Sequence, residues 1–304
     1  MSPGKELSVG NFTATRHSTT YDYISPLKLN LAGKHILITG AAWANGVGYA
    51  TATAFARAGA SAIALADLQG ISSDLTAKLK VAAVEAGRTE PVVLSYTVDI
   101  ASRENVQAMH NALFQELSGR LDIVVNNAAY MEPSKLFLDS DPDVCWKTWE
   151  VNVRGLLNMT RAFLPMQLST RTNGTEGLCI MINVSSSGAL SARAGSGNYR
   201  SSKLALLRWT ETLQLEYGDQ GLLAFCVNPG AIKTKISEDI LPETVRDALP
   251  DSPDIAGDTI AWLAAERREW LGGRYVSCPW DMEELMKKKE EIVEKDKLKM
   301  RMVC

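Results

Sequence analysis

Apolar and polar positions along this chain follow two alternating patterns. Short, nearly continuous apolar runs predict strands at 35–39, 61–66, 91–97, 122–125, 177–184, 222–227 and 273–277. Between them, apolar residues recurring every three or four positions predict a helix opening at Gly48 and ending near Gly59. Further helices are predicted over 72–87, 103–117, 144–168, 199–217 and 256–266. Strands that are apolar throughout are buried on both faces, and the helices between them are the crossovers of a parallel sheet. The pattern predicts an α/β fold, a doubly wound parallel sheet in three αβα layers. No repeat, linker or change of composition divides it, so residues 31–280 read as a single domain. Two flanks stand outside the alternation. Residues 1–30 are polar and read as a flexible or surface-draped extension. Residues 281–304 are charge-rich with a narrow apolar stripe (Leu285, Ile292 and Leu298, with Met286, Val293 and Met300), predicting a solvated helix packed on its own body or on a partner subunit. The segment 235–254, rich in prolines and charges, reads as a mobile loop or short helix over a site.

Composition narrows the function classes. With 46% hydrophobic and 22% charged residues and a net charge of −3, the 304-residue chain suits a globular protein with a full core and speaks against nucleic-acid binding. No apolar run approaches the roughly 20 residues of a membrane span. The N-terminus lacks the apolar core of a signal peptide, so the expected location is cytoplasmic. The five cysteines (Cys145, Cys179, Cys226, Cys278, Cys304) are odd in number and show no CxxC spacing, which suits thiols in a reducing compartment. The histidines His17, His35 and His110 are scattered, so no metal site is expected. The sequons at Asn11, Asn158 and Asn173 follow no secretion signal and are taken as accidental.

Candidate chemistry begins where the first strand ends at Gly40 and Gly46-Val47-Gly48 opens a helix. Glycines there let the backbone approach a pyrophosphate, and the free N–H groups of the helix start can hold it. An ordinary strand–helix turn is the alternative. Asp67 ends the next strand about 20 residues further on, where a carboxylate can accept hydrogen bonds from ribose hydroxyls and repel a 2′-phosphate. It could equally serve as a helix cap. Neither turn carries Arg or Lys, which favours NAD over NADP. A second locus is Asn198-Tyr199-Arg200-Ser201-Ser202-Lys203. On a helix Tyr199 and Lys203 stand one turn apart on one face, placing an ammonium near a phenol. A tyrosine with a pKa of about 10 is ionised about one part in a thousand at neutral pH. A fixed positive charge can shift that balance, and a phenol so tuned can take a proton from an alcohol or return it.

Together these motifs resemble the classical short-chain dehydrogenase/reductase family over about residues 33–278, with its Rossmann-type sheet. Thr39-Gly40 with Gly46-Val47-Gly48 is similar to that family's TGxxxGxG loop, lengthened by two residues, so that Trp43-Ala44-Asn45 makes a longer loop near the phosphates. Asp99-Ile100 resembles the pair beside the adenine ring. Asn126-Asn127-Ala128-Ala129 stands for NNAG, and Pro229-Gly230 with Ile232 and Thr234 for the PGxxxT stretch that closes on the nicotinamide. The resemblance implies catalytic roles for Ser186 (or Ser185), Tyr199, Lys203 and Asn152, with Asn152 holding a water linked to the lysine. Taken alone, Asn152 reads as a mid-helix residue bonded to backbone. Dinucleotide contacts are implied for Gly40, Asn45, Gly46, Val47, Gly48, Asp67, Asp99, Ile100, Asn127, Tyr199, Lys203, Pro229, Gly230, Ile232 and Thr234.

The implied activity is an NAD(P)-dependent oxidoreductase that moves a hydride between nicotinamide and an alcohol or ketone. Ser186 would hold the substrate oxygen, Tyr199 pass the proton, and Lys203 lower the tyrosine's pKa and hold the nicotinamide ribose. A dinucleotide-binding regulator without turnover, or a biosynthetic lyase or cyclase on the same fold, are the alternatives. The cleft walls at 130–138, 188–197 and 235–250 mix apolar residues (Met131, Leu136, Leu190, Ile236, Leu241) with few fixed charges. They suit a small-to-medium, mostly apolar substrate. The resemblance further implies a homodimer or homotetramer built on the helices at 144–168 and 199–217.

Overall fold

Seven strands form one parallel sheet: β1 (His35–Thr39), β2 (Ala62–Asp67), β3 (Val92–Thr97), β4 (Ile123–Asn126), β5 (Ile180–Val184), β6 (Leu223–Asn228) and β7 (Tyr275–Ser277). Their spatial order is β3-β2-β1-β4-β5-β6-β7. The computed structural model describes residues 11–172, 177–240 and 243–302. The sequon at Asn173, Leu241 of the cleft wall, Cys304 and the first ten residues of the extension lie outside the described residues. Helices α1 (Val47–Arg57), α2 (Ser73–Glu85), α3 (Arg103–Glu116), α4 (Pro142–Trp149), α5 (Leu156–Thr172) and α6 (Gly197–Tyr217) connect the strands. Short helices α7 (Lys235–Ile240) and α8 (Glu243–Arg246) fill the segment over the site, followed by α9 (Pro253–Ala265), α10 (Met282–Lys287) and α11 (Lys289–Glu294).

The burial of each strand explains its composition. Every residue of β4, β5 and β6 is buried, because α1, α2 and α9 cover one face of the sheet while α3, α5 and α6 cover the other. The edge strand β3 is half-exposed, which is why Ser95 and Thr97 sit among its apolar residues. After β3 the chain crosses back to pair β4 with β1. That reversal leaves a crevice at the carboxyl ends of β1 and β4, where doubly wound sheets bind ligands.

Two features depart from the sequence expectation. The helix expected over 144–168 is interrupted by a π-helical segment, Glu150–Gly155, between α4 and α5. Such wide turns are rare and concentrate at functional sites. A side chain on Gly155 would sit 2.7 Å from the Ile100 side chain, so the chain passes this point only with glycine. The tail is two short helices and an irregular end, not one helix. Leu285 and Ile292 are seven residues apart, two helical turns, and both are fully buried. Leu298, at the next step of six, cannot share their face on a continuing helix, and the backbone turns left-handed at Asp296 and Leu298. The end then runs beside β7, where the Tyr275 amide donates to the Leu298 carbonyl at 2.8 Å.

Residues 11–31 lie against this same edge. Ile24 and Leu31 are fully buried, and the Phe12 ring stands 5.1 Å from Trp280. Arg16 pairs with Asp251 at 3.1 Å, and the Ser252 amide donates to the Ser18 carbonyl at 2.7 Å. Cys145, Cys179, Cys226 and Cys278 are free and buried. Among the described residues no helix is long and apolar enough to cross a membrane.

Candidate active site

The glycine turn after β1 is packed to its limit. A Cβ on Gly48 would lie 2.3 Å from the Gly40 carbonyl oxygen and 2.7 Å from the Asn127 amide nitrogen. Gly40 itself has φ +73, a left-handed conformation that favours glycine. Asn127, just past β4, donates from Nδ2 to the Thr39 and Gly40 carbonyls, each at 2.9 Å. It thus ties the two strands at the switch point. Gly46 caps α1 without any side-chain cap bond, so the first-turn N–H groups of Val47 and Gly48 are open to an anion. Asp67 ends β2, its carboxylate accepting from the Ala42 amide (3.0 Å) and the Gln69 amide (3.0 Å). It borders a cavity of about 420 Å³ lined by Ala42, Trp43, Gln69 and the end of β3. The lengthened loop departs from its expected role. Asn45 turns its side chain to Glu238 of α7 at 3.4 Å, and Lys235 stands 5.7 Å from the Trp43 ring. Asp99 folds back to accept from the Ala101 amide at 2.9 Å, and Ile100 is buried beside Gly155.

The hydroxyl pair sits where β5 ends and α6 begins. The Ser186 hydroxyl accepts from the Gly188 amide at 3.0 Å and lies near enough to the Tyr199 phenol to favour its ionised form. Ser185 instead donates to the Lys203 carbonyl at 2.8 Å and is buried. Of the two serines, Ser186 is the one directed at the phenol. Lys203 is 2% exposed; its amine donates to the Val184 carbonyl at 2.8 Å and lies 5.8 Å from the Tyr199 ring centre. Burial pushes that amine down to about 8. The phenol does not match the expectation of a tyrosine acidified by Lys203. Burial pushes it above its ordinary value, outweighing the Ser186 hydrogen bond and the Arg200 charge, with Glu132 adding to the rise. The cation acting on it is Arg200, whereas the Lys203 amine is turned to a backbone carbonyl.

Asn152 lies in the π-helical segment, 2% exposed. Its side chain accepts from the Tyr130 amide (2.8 Å) and donates to the Tyr130 carbonyl (2.9 Å) and to the Ser202 hydroxyl (3.0 Å). These polar groups are spent on backbone and on Ser202.

The stretch after β6 closes the crevice. Gly230 has φ +114, and the Ala231 amide donates to Asp251 at 2.7 Å. Ile232 is buried, and the Thr234 amide donates to Ser237 at 2.9 Å, starting α7. Pro229 follows Asn228, whose side chain accepts from the Ser187 amide at 2.9 Å and so links this stretch to the serines.

The family model for short chain dehydrogenases matches residues 34–244. The chain belongs to the short chain dehydrogenase family. A short chain dehydrogenase of Monascus purpureus is 42% identical over 287 residues, spanning 94% of each chain. A second, from Monascus ruber, is 38% identical over 296 residues, covering 96% of this chain and 93% of that one. The crystal structure of a 3-ketoacyl-(acyl-carrier-protein) reductase from Brucella melitensis complexed with NADH superposes with a TM-score of 0.69. It is 26% identical and covers 82% of this chain and 97% of that chain. A carveol dehydrogenase from Mycobacterium avium in complex with NAD, at 21% identity and a TM-score of 0.69, shares the fold.

Within this family framework the sequence left several residues unread. Glu132 is 3% exposed, accepting from the Tyr199 amide at 3.0 Å and the Thr148 hydroxyl at 2.8 Å. Arg200 binds Ser191 through its hydroxyl at 2.7 Å and its carbonyl at 3.1 Å. Asp251 holds the Ala231 amide from twenty residues away in sequence. The one available signal was a lone acid in an otherwise apolar cleft wall, and no spacing rule attaches to it.

Proposed function

We propose that this chain is an NAD(P)-dependent oxidoreductase acting on the alcohol or ketone of a small-to-medium, mostly apolar molecule. The observation that carries this is the Tyr199 phenol on α6, with the buried Lys203 amine 5.8 Å from its ring centre and Ser186, at the end of β5, acting on its hydroxyl. The residues fit a dinucleotide. An uncapped helix start behind close-packed glycines suits a pyrophosphate. Asp67 at the end of β2 suits ribose hydroxyls and disfavours a 2′-phosphate, so NAD is the preferred form. Pro229, Gly230, Ile232 and Thr234 flank the nicotinamide side. When bound, that ring gives or takes the hydride.

A substrate carbonyl oxygen would accept from the Ser186 and Tyr199 hydroxyls. With its pKa held up by burial, the phenol is protonated at neutral pH and serves as the acid. In the carbonyl-reducing direction Tyr199 delivers a proton to the substrate oxygen while the adjacent carbon receives the hydride. Arg200 stabilises the phenolate left behind. The test is NADH and NADPH consumption against a panel of apolar ketones and aldehydes such as 2-octanone, acetophenone and benzaldehyde. Tyr199→Phe is expected to keep dinucleotide binding and cut turnover at least about a hundredfold. Near-normal turnover by that variant defeats the proposal.

A further inference from the structure

The geometry points to Glu132 as a positioning residue for Tyr199, a buried carboxylate that caps the catalytic helix from outside it and fixes where the phenol stands. This rests on the reading of Tyr199 as the proton donor. Helix α6 starts at Gly197, and its own cap residue, Ser196, makes no side-chain cap bond. The first-turn N–H groups of a helix need partners from elsewhere. The Tyr199 amide finds Glu132 at 3.0 Å, from a loop sixty-seven residues earlier. The other Glu132 oxygen accepts from Thr148 of α4 at 2.8 Å, so the carboxylate joins the two helices. One residue earlier, Asn198 accepts from the Trp149 indole at 3.0 Å, a second tie between the same helices.

The loop bearing Glu132 is itself clamped. Asn152 holds both backbone groups of Tyr130 and donates to Ser202, whose hydroxyl donates to the Tyr199 carbonyl at 2.8 Å. The Tyr199 backbone is therefore gripped at its N–H by Glu132 and at its C=O by Ser202, and both grips lead back to Asn152. A carboxylate at a helix start is favoured by the helix dipole. The same charge works against ionisation of the phenol. The groups acting on Tyr199 are Ser186 from the end of β5, Arg200 and Lys203 from its own helix, and Glu132 from the loop after β4. Arg193, on the loop before α6, acts on it only through Arg200.

The experiment compares Glu132→Gln and Glu132→Ala with the unaltered chain and with Tyr199→Phe. Gln keeps an oxygen for the Tyr199 amide and loses the charge, whereas Ala loses both. Hydrogen exchange of the α6 first-turn amides needs no substrate. Protection is expected to fall at least tenfold in Glu132→Ala and to be retained in Glu132→Gln. With a ketone from the panel above, Glu132→Ala is expected to lose at least tenfold in kcat with the KM for NADH within about threefold. Glu132→Gln is expected to recover most of that kcat, with the pH limb belonging to Tyr199 moved to lower pH. Unchanged exchange and kcat in Glu132→Ala overturns the inference, as does a Gln variant no better than Ala or an unmoved pH limb. An active Tyr199→Phe would instead defeat the underlying reading, and the exchange result would stand apart from it.

Discussion

Replacing Gly48 with alanine adds one carbon at the tightest point of the crevice. The new Cβ would lie 2.3 Å from the Gly40 oxygen and 2.9 Å from its carbonyl carbon, both backbone atoms that cannot swing away. Either β1 and its turn or the start of α1 must shift. Overpacking of this kind costs about 1–3 kcal/mol. The Asn127 amide, 2.7 Å from the new carbon, must also move. Its bonds to the Thr39 and Gly40 carbonyls then weaken, at about 1 kcal/mol each. Alanine's better helix propensity returns up to about 1 kcal/mol. The net expectation is a loss of about 2–3 kcal/mol, or about 3–5 °C in Tm for a chain of this size. Because the same shift moves the open N–H groups of α1, NADH affinity should fall at least about tenfold. Urea and thermal melts give the first quantity and fluorescence titration with NADH the second. Gly197→Ala is the control: nothing lies within 4 Å of its added Cβ, and its stability should stay within about 1 kcal/mol of the parent. A Gly48→Ala protein with parental Tm and NADH affinity would refute the close approach of turn and helix.

The remaining predictions concern charge and hydroxyls. The Lys203 amine, pushed down to about 8 by burial, releases its proton in the folded chain before it does in the unfolded one. Stability should therefore rise with pH from about 8 to 10.5, the penalty standing in full below that window at about 3 kcal/mol. Lys203→Met, which also loses the bond to Val184, should thus be the more stable protein near pH 7 in urea melts, with the gap closing toward pH 10 and turnover abolished. A gap that widens with pH would contradict this. Ser186→Ala should lose at least about tenfold in kcat, whereas Ser185→Ala, which breaks a buried bond to the Lys203 carbonyl, should mainly lower stability by about 1 kcal/mol. The reverse pattern would make Ser185 the working serine. Asp67→Ala should weaken NADH binding and improve NADPH binding, read as the ratio of their Kd values; an unchanged ratio would remove Asp67 from cofactor selection.

Much of the fold was legible because burial on both faces leaves so plain a trace: β5 and β6 are buried at every position and apolar at all but one each, and the glycines stand where a turn has no room for a side chain. Local spacing likewise brought Tyr199 and Lys203 onto one helix face, while Ser186, with Ser185 as the alternative, came from the family resemblance. The π-helical segment was not legible: the close approach of the Ile100 side chain to Gly155 within it is a contact between distant segments. The broken tail was readable in part. A step of seven followed by a step of six among its buried leucines and isoleucine does not suit one helix, although charge-rich sequence without breakers suggests one.

The harder omissions share a cause. Glu132 and Asp251 are both buried acids on loops, and each accepts a backbone N–H from a stretch that presents chemistry, Tyr199 in one case and Ala231 in the other. Backbone amides carry no sequence signature, so a side chain that partners one is invisible to motif reading however well the motif itself is recognised. Burial makes the partnership consequential, because an unpaired carboxylate or amide there is destabilising. Asp251 adds a long-range element, since its ion pair with Arg16 brings the segment before β1 into contact with the stretch after β6. Motifs thus name the groups that face the ligand, while the groups that hold those motifs in place are set by tertiary contacts. In this chain the second set includes charges close enough to alter how the first set titrates.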